Sequence, residues 1–422
     1  VPHETLLPPA APGATRDLRR AIELVAGVAV PLLPLAILHA RALADILVCA
    51  VDLLFLVRSA LDAEWSWTRR PWVRLAAGLW VWLIACTLLR GDPPAIGQAA
   101  VSGRLFLFVA ACEHWALAEA RTRRLLGLAY AAAAAWVAIE SWQQFLLGRN
   151  LFGFPRNADG ALTGPFRKPR AGMAYLGAFF PGVLPAALRL GRVWATFLLL
   201  GAAAATQVLI GQRMPTLLTV FGLLVAALLL PRLRLPVLAA LALAALVVAA
   251  TPLVSPPTFA KLVLHFAEQM RHFWVTDYGQ IFVRALAMVE ASPWTGLGMD
   301  GFRDHCLDAA YLHGAAWLGL PDSAVLATNG CNIHPHNYWL EFATSGGLPA
   351  LAGFAALVGL WLRALARGLM PATMPERTAL LVAVVTLLWP FASTSSLFVV
   401  DVGGWVFLAV GWGLAEARAA AR

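Results

Sequence analysis

Long apolar runs, Val193–Ile210 and Leu235–Ala250 among them, constrain this chain more than any other feature. A run near 18 residues or longer reads as a membrane-spanning helix, because about 20 residues rising 1.5 Å each cross a hydrocarbon core of roughly 30 Å. A spanning barrel would instead alternate apolar and polar residues. Composition agrees with helices. The 422 residues are 60% hydrophobic and 13% charged, with a mean hydropathy of +0.72. A soluble chain carries about 25% charged residues. This one has too few to cover a water-facing surface, which excludes a soluble enzyme, a disordered chain and a collagenous one. The fold class expected is an all-α polytopic membrane protein.

Twelve spans are expected, at 21–38, 42–60, 72–90, 95–118, 124–147, 171–189, 193–211, 214–230, 236–254, 338–365, 378–396 and 398–416. Val1–Arg20 is polar and Pro-rich, with no cleavable signal peptide evident. Arg16, Arg19 and Arg20 precede the first span, which puts the N-terminus in the cytoplasm and, after twelve crossings, the C-terminus as well. That topology makes Thr122 and Thr373 cytoplasmic and Gly153 and Ser323 periplasmic. The net charge of +9 is an arginine charge, since only Lys168 and Lys261 among the 32 basic residues are lysines. Such a balance in a soluble protein would suggest nucleic acid. Here it reads as topology, because short cytoplasmic loops collect Lys and Arg, and no nucleic-acid partner is expected.

Two stretches on the expected outer side break that charge rule. One is the loop 148–170, with Arg149, Arg156, Arg167, Lys168 and Arg170; the other is 255–337, with Lys261, Arg271, Arg284 and Arg303. An anionic ligand would favour positive charge there. The alternative is that long loops translocate whatever their charge, and the 156–170 loop could equally bind lipid headgroups nonspecifically. The chain therefore divides into spans within 1–254, a periplasmic segment 255–337 and the last spans within 338–422. The middle segment is rich in aromatic anchors and has helical character at 260–275 and 278–291, so it reads as a large ordered loop. The first of these stretches has a polar face of Lys261, His265, Glu268 and Arg271, which suits a helix lying in the membrane interface. Cys306 and Cys331 lie in this segment and can pair as a disulfide if it faces an oxidising compartment.

Four features carry chemistry. Gly211-Gln212-Arg213-Met214-Pro215 joins two apolar runs, where helix N-terminal amides plus a guanidinium make a phosphate seat; a snorkelling arginine is the plainer reading. His334-Pro335-His336-Asn337 ends the outer segment. A histidine there can take a proton from a hydroxyl, with Asn337 orienting it or its substrate. The pair could instead only cap the following helix, or chelate a metal with help from His305, His313 or Asp304, although no structural-zinc spacing is present. Arg284 precedes Pro293-Trp294-Thr295-Gly296-Leu297-Gly298 and could be a solvated helix-face residue. The basic loop Arg156–Arg170 is the fourth. Within the spans, Asp45, Asp52, Arg104, Glu113 and His114 are the notable ionisable residues, and a buried ion pair of Arg104 with an Asp is the reading adopted.

Taken together, these residues resemble the O-antigen ligase and polymerase superfamily of bacterial envelope glycosyltransferases. The carriers are Gly211-Gln212-Arg213, Arg284 ahead of the Pro-Trp-Thr-Gly-Leu-Gly stretch, and His336-Asn337 after the long outer loop. The twelve-span layout with one large periplasmic loop is similar to the ligase. The resemblance implies a fold similar to type C glycosyltransferases. It also implies metal-independent, inverting transfer of a glycan from undecaprenyl diphosphate to a sugar hydroxyl of lipid A–core, at the periplasmic face of the inner membrane. His336 matches the family's essential histidine, and Arg213 and Arg284 its essential arginines; His334, Asn337, Arg156, Arg167, Lys168 and Arg170 are candidate substrate contacts. A diphosphate leaving group needs no proton, so one base suffices, and no cofactor or resident metal is expected. The polymerase, which extends a lipid-linked glycan, is the nearest rival. A transporter or flippase for an anionic lipid is a rival of another class, which internal repeats and midplane helix breaks would favour.

Overall fold

A computed structural model describes residues 12–320 and 330–421, so Ser323 and the first residues of the Pro-rich N-terminal stretch lie outside the described residues. Among the described residues the chain is helical, without a β-strand. In order, the helices of the first part are α1 (Pro12–His39), α2 (Arg41–Leu61), α3 (Pro71–Arg90), α4 (Pro93–Ala111), α5 (Ala120–Leu147), α6 (Ala171–Ala178), α7 (Leu184–Arg189), α8 (Val193–Ile210), α9 (Arg213–Leu229) and α10 (Arg234–Val254). The segment 255–337, called outer after its expected side, holds α11 (Pro256–Phe259), α12 (His265–Arg271), α13 (Asp277–Ala291) and α14 (Gly301–His305). The last part is α15 (Tyr338–Ala366), α16 (Pro375–Leu387) and α17 (Val400–Ala419).

Nine helices among the described residues are long and apolar enough to cross a membrane. A π-helical turn at Phe179–Val183 joins α6 and α7 into one of them. The other three expected spans fall short for separate reasons. α2 carries Arg41, Asp45, Asp52 and Arg58, α9 is 17 residues long, and α16 ends at Leu387. The expected span 378–396 is thus helical only to Leu387. Pro390 offers no backbone donor, and the Ala392–Ser396 stretch leaves the helix to bond elsewhere.

Local sequence explains the boundaries. Pro71, Pro93 and Pro375 each occupy the first helical turn, where a missing N–H costs nothing. Packing is tight between α8 and α10, between α3 and α15, and where α1 meets α2 and α5. Large fully buried side chains fill the centre, including Phe55, Tyr130, Phe354, Trp361, Phe407 and Trp412. Arg104 reaches Asp45 at 2.7 Å, the ion pair expected between spans.

α15 is broken at Gly346 and Gly347, whose φ values are −139° and +70°. The break takes carbonyls out of the helical ladder, and where they are buried protein must satisfy them. The Pro293–Gly298 stretch does so. The Leu297 and Gly298 amides donate to the Thr344 and Ser345 carbonyls at 2.7 and 3.1 Å, and the Leu348 amide donates back to Pro293 at 2.7 Å. Trp82 Nε1 donates to the Gly346 carbonyl at 2.8 Å. A Cβ on Gly296 would sit 2.5 Å from the Thr344 oxygen, which fixes glycine there. The Pro-Trp-Thr-Gly-Leu-Gly stretch therefore docks the outer segment onto a broken helix.

The outer segment has its own small core of Ile281, Ala285, Met288, Leu297, Phe302 and Cys306. Cys306 and Cys331 are joined as a disulfide, their Cα atoms 5.1 Å apart. Helix α13 begins at Asp277 behind an N-cap Thr276, whose hydroxyl accepts from the Gly279 amide, and ends at Ser292 before Pro293. Residues 256–271 run as a continuous helical stretch with a π turn at Ala260–Leu264. Leu264 and Met270 are exposed beside its polar residues.

Candidate active site

Asn337 fixes the end of the outer segment. Its side-chain oxygen accepts from the Trp339 and Leu340 amides at 2.9 and 3.0 Å, capping α15, and its Nδ2 donates to the Pro390 and Ala392 carbonyls. One side chain thus ties the start of α15 to the irregular chain after α16. Asn337 is 5% exposed, so as placed its polar atoms serve the cap.

His336 sits directly before this cap with a left-handed backbone, φ +51°. A non-glycine residue there is strained by about 1–3 kcal/mol and persists only where its surroundings enforce it. Thr394 enforces it from two sides. The Thr394 amide donates to the His336 carbonyl at 2.8 Å, and the His336 Nδ1 lies 3.1 Å from the Thr394 carbonyl. A carbonyl only accepts, so Nδ1 carries the proton and Nε2 of the neutral ring presents its lone pair. Burial holds the His336 pKa below the ordinary histidine value, against the opposing Thr394 bond. The ring is thus a neutral base at physiological pH, in one tautomer and one orientation.

Two rings pack on it. His334 stands edge-on at 4.3 Å between centroids, and Tyr278, from the first turn of α13, at 5.4 Å. The His334 Nε2 is 3.0 Å from the Ser395 hydroxyl, and burial, then the neighbouring His336, push its pKa down to about 4. Behind them Glu341 accepts from the Leu397 amide at 2.8 Å and from the Ser396 hydroxyl. Residues 394 and 395 are therefore held to the histidine turn, and 396 and 397 to α15.

Arg213 opens α9 after Gly211, whose φ of +76° closes α8, and after an extended Gln212. Its Nε donates to the Lys261 carbonyl at 2.7 Å, and its terminal nitrogen to the Gln269 amide oxygen. The Tyr278 hydroxyl lies within electrostatic reach of the Arg213 guanidinium, and the Tyr278 ring also packs on His336. The basic loop closes round the same place. Lys261 pairs with Asp159, Arg156 Nη1 donates to the Ser255 hydroxyl at 2.8 Å, and Arg170 pairs with Asp401 at 2.9 Å. Arg167 and Lys168 are exposed.

Arg284 has a different setting. It is 1% exposed, donates to the Cys306 carbonyl, and lies against Gly330, four residues ahead of His334. As placed, it supports the disulfide-closed chain that leads into the histidines. Among the described residues no three His, Cys, Asp or Glu side chains converge in a way that could hold a metal. His305 pairs with Asp308, and His313 lies 2.7 Å from the Gly314 carbonyl.

Tyr278, Glu341, Thr394 and Ser395 escaped the sequence reading. Only Glu341, a carboxylate inside an otherwise apolar run, gave a signal that could have found it.

A comparison with curated proteins finds no match. A family model does match: residues 194–355 fit the one described as O-antigen ligase. The matched stretch contains Arg213, Tyr278, Arg284, His334, His336 and Glu341, while the basic loop and Thr394 lie outside it. With nine apolar helices among the described residues long enough to span a bilayer, and a matched segment that holds both histidines, the chain has the make-up of a multi-pass membrane protein whose residues 194–355 match the O-antigen ligase family, a family of glycosyltransferase type in lipopolysaccharide-related biosynthesis.

Proposed function

We propose that the chain moves a glycan from undecaprenyl diphosphate to a sugar hydroxyl of lipid A–core at the periplasmic face of the inner membrane, with inversion and without a metal. The observation that carries this is the orientation of His336, whose Nδ1 proton is committed to Thr394 and whose Nε2 is left as a base. Nε2 takes the proton of the acceptor hydroxyl. The hydroxyl oxygen attacks the anomeric carbon from the face opposite the diphosphate, and the bond from that carbon to the phosphate oxygen breaks. The new charge rests on the diphosphate, where Arg213 at the α9 N-terminus stabilises it. The exposed Arg167 and Lys168, with Arg170, extend the positive field towards the donor. Arg284 is assigned to positioning, because it is buried beneath the chain that carries the histidines.

Purified protein given lipid-linked glycan with either lipid A–core or a second lipid-linked glycan as acceptor tests this. Product on lipid A–core, undiminished by a chelator, is expected. Growth on the isoprenoid carrier alone would assign a polymerase. Movement of the lipid with no new glycosidic bond would assign a transporter.

A further inference from the structure

At the bundle end opposite His336, the N-termini of α5 and α17's partner α16 and the C-termini of α7 and α17 surround a cavity of about 800 Å³. Its polar end is arginine-rich. Arg123 pairs with Glu416 at 3.0 Å and Arg189 pairs with Glu376, while Arg124 on the same wall has no ion pair among the described residues. Neither α5 nor α16 has a side chain capping its first amides; the positive end of α5, with no acidic residue in its first turn, adds to that uncompensated charge, while Glu376 offsets that of α16. The remaining wall is apolar, formed by Leu128, Ala131, Pro185, Ala186 and Trp412. The two elements that shape it approach as closely as backbones allow, since a Cβ on Gly182 would meet the Tyr130 and Ala131 backbone at 2.8 Å.

We propose that this cavity binds the phosphodiester headgroup of an anionic glycerophospholipid, with Arg124 on the phosphate and the upper acyl chains along the α5–α7 wall. The amphiphilic lining argues for a lipid rather than a soluble phosphate. One end offers guanidinium groups and free amides, and the other offers only carbon beside Leu128, which is 67% exposed on the bundle's side. This site is independent of the transfer chemistry and lies at the other end of α5 from the basic loop.

The test uses the full-length protein in phosphatidylcholine nanodiscs doped with phosphatidylglycerol, with retained lipid counted by native mass spectrometry. Wild type should retain phosphatidylglycerol over phosphatidylcholine. Arg124→Gln, at an exposed position that folding does not need, should lower that retention at least fivefold. Arg192→Gln, at an exposed arginine on the same end outside the cavity, should leave it unchanged. Equal retention by both variants, or equal retention of the two lipids by wild type, would overturn the site. Displacement of the lipid by inorganic phosphate at equal concentration would overturn the lipid assignment and leave a soluble-anion site.

Discussion

Replacing His334 by glutamine should make the protein markedly less sensitive to acid. The ordinary histidine pKa is 6.5, and that of His334 is pushed down to about 4 in the fold. A group whose folded pKa is depressed in this way stays neutral in the native state while the unfolded chain takes up the proton first. Its contribution is present above pH 6.5 and is lost as pH falls towards 4. At 1.36 kcal/mol per unit, the loss between pH 7 and pH 5 comes to about 2 kcal/mol. With the residue only 8% exposed, little of this is screened. Glutamine keeps a group able to bond the Ser395 hydroxyl and does not titrate. Denaturant unfolding in mixed micelles, wild type against His334→Gln at both pH values, isolates the term, because the other titrating groups cancel in the difference. His336, also depressed, remains in both proteins and cancels with them. A double difference near zero would refute the argument and mean that the ring is solvated enough to protonate in place.

Further expectations follow from the same geometry. His336→Ala should lower transfer about 10²–10⁴-fold. In wild type kcat/KM should rise with pH and level off below pH 6.5, because burial lowers this pKa; a profile rising only above neutrality would show that another group is the base. Arg213→Lys keeps the charge but cannot reach the Lys261 carbonyl and Gln269 together, so activity should drop sharply with stability little changed. Arg284→Lys should lose folded stability along with activity, and a stable but inactive Arg284→Lys would instead place that residue on the substrate. Cys306 and Cys331 should resist alkylation until the protein is reduced, as mass spectrometry would record; rapid labelling of both without reductant would disprove the pairing.

Helix positions were legible because an apolar run long enough to span a bilayer has few alternatives. Every expected span but the first begins within about four residues of an observed helix start; the first, expected from residue 21, begins well inside α1, which starts at Pro12. The failure at 378–396 is instructive. Trp389, Phe391 and Ala392 keep the run apolar, yet the chain there turns to meet Asn337, His336 and Glu341. Hydropathy measures only the preference for lipid, and these carbonyls and amides are satisfied by protein. The site was half legible for a related reason. His336 and Asn337 are adjacent in sequence, so their pattern survives in one dimension. Thr394 acts through its backbone, which no residue type reveals, and Tyr278 joins the cluster through a fold that brings positions far apart in sequence together. Arg284 was visible as a charge, but its burial under a disulfide was not.

The break in α15 has a mechanical consequence. Three backbone hydrogen bonds weld the Pro293–Gly298 stretch to the helix, two of them between buried residues, and freeing each of those two would leave an unsatisfied group costing about 1–3 kcal/mol. The outer segment therefore has a fixed fulcrum at that point. Swinging as a rigid flap about this joint would tear the helix's own ladder. Room for a bulky glycan must be made on the far lever arm, residues 256–275, where not one residue from Ala260 to Val275 is buried. Amide exchange should divide the segment accordingly, slow at Leu297 and Gly298 and fast along that arm.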